Sequence, residues 1–183
     1  RLPAAPDGEA LSDFLAARSF MALDASRDDP AHNTELRARG AALAREAVRV
    51  DPFSGAAHYA LAFAFYFEGR CDLGKASAMR SMEMNPYNAE KIAVFGAFMA
   101  QCDDPDGERF LQDAIQLDPN LPPHMQAPLI ILLIRQGRAE EAASVVTKLI
   151  TSDNVIGIIG EKSSNQSLAA APIAQSDGGP MIS

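Results

Sequence analysis

Along most of the chain, apolar residues recur three and four positions apart and then stop at a proline. The strings VRVDP, MEMNP and IQLDP end at Asp51-Pro52, Asn85-Pro86 and Asp118-Pro119. The spacing predicts helices. Proline drives the residue before it out of the α region, so each of these steps predicts a helix end, and the proline can open the next helix. The prolines are separated by 34 (86 − 52) and then 33 (119 − 86) residues, and the small residues Ala47, Ser81 and Ala114 stand four positions before each Asp or Asn. A second punctuation mark falls between the stops: Gly69 in FEGRCDLG and Gly137 in RQGRAEEA. There a first helix must turn tightly into a second, and glycine enters left-handed backbone at little cost. The predicted unit is helix, short turn, helix, proline stop.

This register resembles the tetratricopeptide repeat (TPR), with GAAHYALAFAFYFEGRCDLGKASAMRSMEMNP the clearest copy. Leu61-Ala62, Phe65, Gly69 and Pro86 match the family's large-small pair, aromatic, turn glycine and terminal proline, while Ser81 replaces the usual alanine. A third copy, Ala89 to Pro119, has Phe95-Gly96 at the large-small pair, carries Asp103-Asp104-Pro105-Asp106-Gly107 at its turn and is one residue short. A looser first copy opens with LSDFLAARSFMALDAS and continues, after the polar insertion RDDPAHNTE, as LRARGAALAREAVRV. A fourth, 123–150, contains LIILLIRQGRAEEAASVVTKLI, and Pro128 predicts a kink or a late start in its first helix. The expected organisation is a linker over 1–8, an all-α solenoid of about four helix pairs over 9–150, and a different segment over 151–183. The wide first loop and strings such as LAARSFMALDA and FLQDAIQLDPNLPP resemble TPR segments of bacterial nucleotide cyclases and winged-helix regulators more than the eukaryotic consensus.

A helix pair cannot bury its apolar face alone, so repeats stack and leave a concave groove in which binding takes place. The TPR resemblance implies that Tyr59, Phe63, Tyr66 and Phe67 point into that groove while Leu61, Ala62 and Phe65 pack between helices. The reading that all of them are core stands beside it. In the third copy the corresponding face carries Glu90, Ala93, Ala97 and Gln101, small and polar. Such a groove suits a protein partner presenting an extended peptide or a helix. The Lys, Arg and Asn pattern with which chaperone-binding TPR domains clamp a C-terminal carboxylate is not evident, and Lys91 is its lone candidate.

After Ile150 the spacing changes. TSDNVIGIIGEKSSNQSLAAAPIAQSDGGPMIS reads as strand, loop, small-residue helix, turn and strand: a short, incomplete βαβ segment. It resembles the first lobe of type I periplasmic substrate-binding proteins, the branched-chain amino acid receptors of ABC transporters. That resemblance implies that Ser164, with Ser163 and Asn165 beside it, meets the carboxylate of an amino acid or similar ligand, as helix N-termini favour anions. The plainer alternative is a serine helix cap. A genuine fusion, a truncated domain and an artificial join at the helix shared by both resemblances stay open. The compartment stays open with them: cytoplasmic for a regulator- or cyclase-like protein, periplasmic for a receptor-like one. The start at Arg1 predicts a piece of something longer.

Composition narrows the classes. A formal charge of −8 opposes phosphate backbones and anionic surfaces, so nucleic acid is not an expected partner. The longest apolar runs fall far short of the roughly 20 residues that span a bilayer, and no membrane insertion is expected. Cys71, Cys102, His32, His58 and His124 form no metal-type spacing, so neither metal nor cofactor is expected. No nucleophile, phosphate-loop or metalloprotease motif suggests an enzyme. Asp103-Asp104 and Glu140-Glu141 read as solvated carboxylates, and the two cysteines as half-buried packing residues.

Overall fold

The computed structural model describes residues 7–151, 158–159 and 181–182. They form α1 (Gly8–Asp28), α2 (Asn33–Val50), α3 (Gly55–Phe67), α4 (Cys71–Met84), α5 (Ala89–Gln101), α6 (Asp106–Leu117), α7 (Pro123–Arg135) and α8 (Ala139–Thr151). Two short strands follow, β1 (Ile158–Ile159) and β2 (Met181–Ile182). The chain divides into two compact units, Arg1–Lys91 and Ile92–Ser183.

Both kinds of punctuation have a backbone cause. Asp51, Asn85 and Asp118 close α2, α4 and α6 with φ/ψ of −137/98, −144/80 and −131/97, the extended conformation that the following proline imposes. Asp51 and Asp118 add an Asx turn, accepting from the amides of Phe53 and Asn120 at 2.9 Å. At the hairpin turns Gly69 and Gly137 have φ of 70° and 76°, and in the third copy Asp103 takes their place with φ 55°. These three residues recur at a constant spacing of 34 (103 − 69 and 137 − 103). Each turn closes on the same bond, the amides of Arg70, Asp104 and Arg138 donating to the carbonyls of Phe65, Met99 and Leu133 at 2.9 Å. The short third copy therefore loses its residue on the α6 side, and the Asn120–Pro122 connection returns it before α7.

In the first unit α1 packs on α2, both pack on α3, and α3 packs on α4. Three serines one heptad apart, Ser12, Ser19 and Ser26, are buried on α1. The Ser12 and Ser19 hydroxyls donate to the carbonyls of Ala47 and Gly40, so small polar residues let α2 approach closely without orphaned groups. Ala41, Ala44, Ala57, Ala60, Ala62 and Ala78 fill the rest. Ser81, where the repeat usually has alanine, is buried and donates to the Gly55 carbonyl at 2.8 Å.

The second unit is aliphatic. Leu111, Leu129, Leu133, Ala100 and Ala142 form its core, with Phe95, Met99 and Val146 fully enclosed. Within it α6 packs on α7 and α7 on α8. α7 runs through Pro128. Only the His124 carbonyl loses its helical donor there, and His124 is an exposed first-turn residue whose carbonyl water can reach. The helix opens on Pro123, so the expected late start does not occur.

β1 and β2 pair in parallel over two residues each. The expected helix between them lies outside the described residues, and two-residue pairing does not establish a βαβ unit. Both cysteines are half-buried, as read from the sequence, and the structure adds that Cys71 and Cys102 are disulfide-bonded. Two lone cysteines carry no spacing signal from which bonding could be read.

Candidate functional site

In the first unit, α3 is a helix without a charged residue: GAAHYALAFAFYF. Ser54 caps it, its hydroxyl accepting from the Ala57 amide at 3.1 Å. Tyr59, Phe63 and Phe67 follow at four-residue spacing and stand in one row, with ring centroids 5.8 Å (Tyr59 to Phe63) and 5.7 Å (Phe63 to Phe67) apart. Phe20 of α1 joins them, stacked on Tyr59 at 4.9 Å and tilted against Phe63 at 4.4 Å. Phe63 is 8% exposed and anchors the row, while Phe20, Tyr59 and Phe67 are half-buried. Burial pushes the Tyr59 hydroxyl up to about 12, with the negative charge of Glu90 adding to the shift. The Lys91 ammonium lies 5.0 Å from the Tyr59 ring centroid, and the Arg37 guanidinium 5.2 Å from that of Phe67.

Tyr66 leaves this row. Its ring fills the space over Gly74, where an added Cβ would approach Tyr66 Cε1 to 3.0 Å, so it belongs to the α3–α4 contact. Of the three residues expected between helices, Ala62 is fully buried. Leu61 and Phe65 are half-buried, and Phe65 lies beneath the guanidinium groups of Arg45 and Arg70. Glu90 is exposed beside Tyr59. In the second unit, Ala93 is buried at 2%, Ala97 is half-buried in the aliphatic core and Gln101 is exposed. Ser163, Ser164 and Asn165 lie outside the described residues. Sequence reading missed Phe20 and Arg37. The insertion after α1 hides the register that aligns Phe20, and the stacking of Arg37 has no local sequence signature.

The second unit holds a pocket of about 260 Å³ between the Asp103–Pro105 turn and Leu132, Arg135 and Gln136. Its charges are satisfied within the unit: Arg135 donates to Asp103 at 3.0 Å, and Arg138 to Glu108 at 2.6 Å. Among the described residues no group of three or more His, Cys, Asp or Glu could hold a metal ion, and no helix is long and apolar enough to cross a membrane.

Helix pairs in a recurring register, three of them turning through a left-handed residue and three ending at an Asp-Pro or Asn-Pro stop, define a TPR-like all-helical fold. Among solved structures the chain is similar to PilF of Pseudomonas aeruginosa, a TPR-containing protein, at 18% identity and a TM-score of 0.69. The match covers 94% of this chain and 71% of that one. No protein-family model and no curated protein matches the chain. The likeness concerns the fold alone. It adds nothing to the resemblances to cyclase- and regulator-linked repeats or to a receptor lobe.

Proposed function

We propose that the chain is a protein-interaction module and that its first unit holds a peptide or helix against the row formed by Phe20, Tyr59, Phe63 and Phe67. The observation that carries this is the row itself: four touching rings on two helices, three of them half-exposed, with no charge on α3 to break the apolar strip. Rigid aromatic rings supply contact area at low entropic cost, and anchors of this kind contribute on the order of 1–2 kcal/mol each. The contact residues are Tyr59, Phe67 and Phe20. Phe63 supports them from below, Tyr66 acts through α3–α4 packing, and Glu90 borders the row at Tyr59. Replacing Tyr59 and Phe67 by alanine is expected to release the partner while the helical circular dichroism is kept. A doubly substituted, folded protein that retains every partner of the parent contradicts the assignment.

The disulfide-bonded state of Cys71 and Cys102 favours an oxidising compartment over a reducing cytosol. Thiol titration of the denatured, unreduced protein from its native source is expected to find no free thiol. Two free thiols per chain would remove this support.

A further inference from the structure

The two ends of the aromatic row are each covered by a cation. Lys91 lies over Tyr59 and Arg37 over Phe67. Among the described residues neither has a carboxylate within ion-pair distance, and Arg37 Nε is buried with no hydrogen-bond partner. Five other arginines of the unit meet a carboxylate among the described residues, Arg27, Arg45, Arg49, Arg70 and Arg80, whereas Arg18, over the Phe14 ring, and Arg39 do not. In a chain of net charge −8, where carboxylates outnumber cations, the row still carries two unmatched cations, one at each end.

We infer that the segment held by the row is extended and acidic, with two carboxylates about four residues apart and apolar side chains between them, one carboxylate meeting Arg37 and the other Lys91. This rests on the peptide-binding reading of the row. The spacing follows from geometry. Tyr59 and Phe67 are eight helical residues apart, roughly 12 Å at 1.5 Å per residue, and an extended chain covers that distance in about four residues. The intervening side chains then lie along Phe63 and Phe20. Selectivity is local: the net negative charge disfavours indiscriminate capture of acidic chains, and attraction beyond about 10 Å is screened at ordinary salt. Glu90 opposes binding at the Lys91 end, which it flanks. No free C-terminus is required, because both carboxylates are side chains.

The test is selection of a random, C-terminally amidated twelve-residue peptide library against the intact chain, followed by affinity measurement of the enriched peptides. Enrichment of Asp or Glu pairs three to five positions apart, bracketing an apolar residue, is expected. Arg37→Gln and Lys91→Gln should each weaken those peptides about tenfold, and Glu90→Gln should strengthen them about twofold. Asn or Gln in place of the acidic pair should give the same loss as the double cation variant. Enrichment of uncharged or basic peptides, or no enrichment at all, overturns the inference. Tyr59→Ala and Phe67→Ala separate the two levels. Uncharged peptides released by those variants leave the row as the binding face and remove only its preference for acid. Peptides indifferent to those variants remove the row as well.

Discussion

The α3–α4 and α5–α6 hairpins occupy successive repeats yet close their helix pairs by different means. In the first, Gly74 leaves room that the Tyr66 ring fills. In the second, Gly96 and Gly107 bring the backbones together: a Cβ on Gly107 would lie 2.5 Å from the Ala100 amide nitrogen, and one on Gly96 2.8 Å from that of Leu111. The turns differ in the same way, glycine at φ 70° in one and Asp103 at φ 55° in the other. Backbone conformation at the turn and the stop is therefore what repeats, while the filling between helices is exchangeable provided its volume is conserved across the pair. The first solution goes with an aromatic α3, and only that hairpin acquires a candidate binding row.

The largest effect expected from this contrast is at Gly107. Gly107→Ala must move backbone, and urea denaturation should show a loss of about 2–3 kcal/mol. Gly74→Ala meets a ring that can tilt and gains helix propensity, so its loss should stay below about 1 kcal/mol. The reverse order would break the comparison. Next in size are the turns. Gly69→Ala finds no atom within 4 Å of its new Cβ, so its expected cost of about 1 kcal/mol comes from the left-handed backbone alone. Asp103→Gly exchanges backbone relief for a more flexible unfolded chain and the loss of an exposed pair with Arg135, and should change stability by less than about 0.5 kcal/mol. Thermal unfolding of the two variants checks both values.

Ser81→Ala restores the residue usual at that position and removes a buried hydroxyl with its bond to Gly55. A loss of about 0.5–1 kcal/mol sharpens the view that the α3–α4 hairpin uses a bonded hydroxyl where the neighbouring copies use Ala47 and Ala114. A further effect lies in the alkaline range. Tyr59 is raised from the ordinary 10 to about 12 in the folded protein, so the stability it contributes is fully present below pH 10 and is lost between pH 10 and 12. Ultraviolet phenolate titration should show a late ionisation that is lost in Tyr59→Phe. Simultaneous ionisation of all tyrosines near 10 would contradict its burial.

The repeat was legible because proline and glycine act through local backbone energetics. Pro52, Pro86 and Pro119, with Gly69 and Gly137, announce their conformations without reference to the rest of the chain. Asp103 was the turn residue that composition concealed, since aspartate enters left-handed backbone only where its neighbours hold it. The serine stripe on α1 was silent for a related reason: Ser12, Ser19 and Ser26 look like solvent residues until the carbonyls of α2 come within reach of the first two. Of the aromatic stripe, Tyr59, Phe63 and Phe67 were readable from four-residue spacing. Tyr66 was assigned to the same face because helical angle alone cannot show that Gly74 leaves a gap there. The cations over the row come from α2 and α5, and no pattern within α3 could point to them.

The most direct measurement is side-chain NMR of the intact chain, titrated with the peptides enriched by library selection. Chemical-shift changes should concentrate on the rings of Phe20, Tyr59 and Phe67 and on the Arg37 and Lys91 side chains, with the second unit unperturbed. Shifts centred instead on exposed aromatics such as Phe53 and Tyr87, or on residues of the second unit, with the row unmoved, would contradict the assignment of binding to this face.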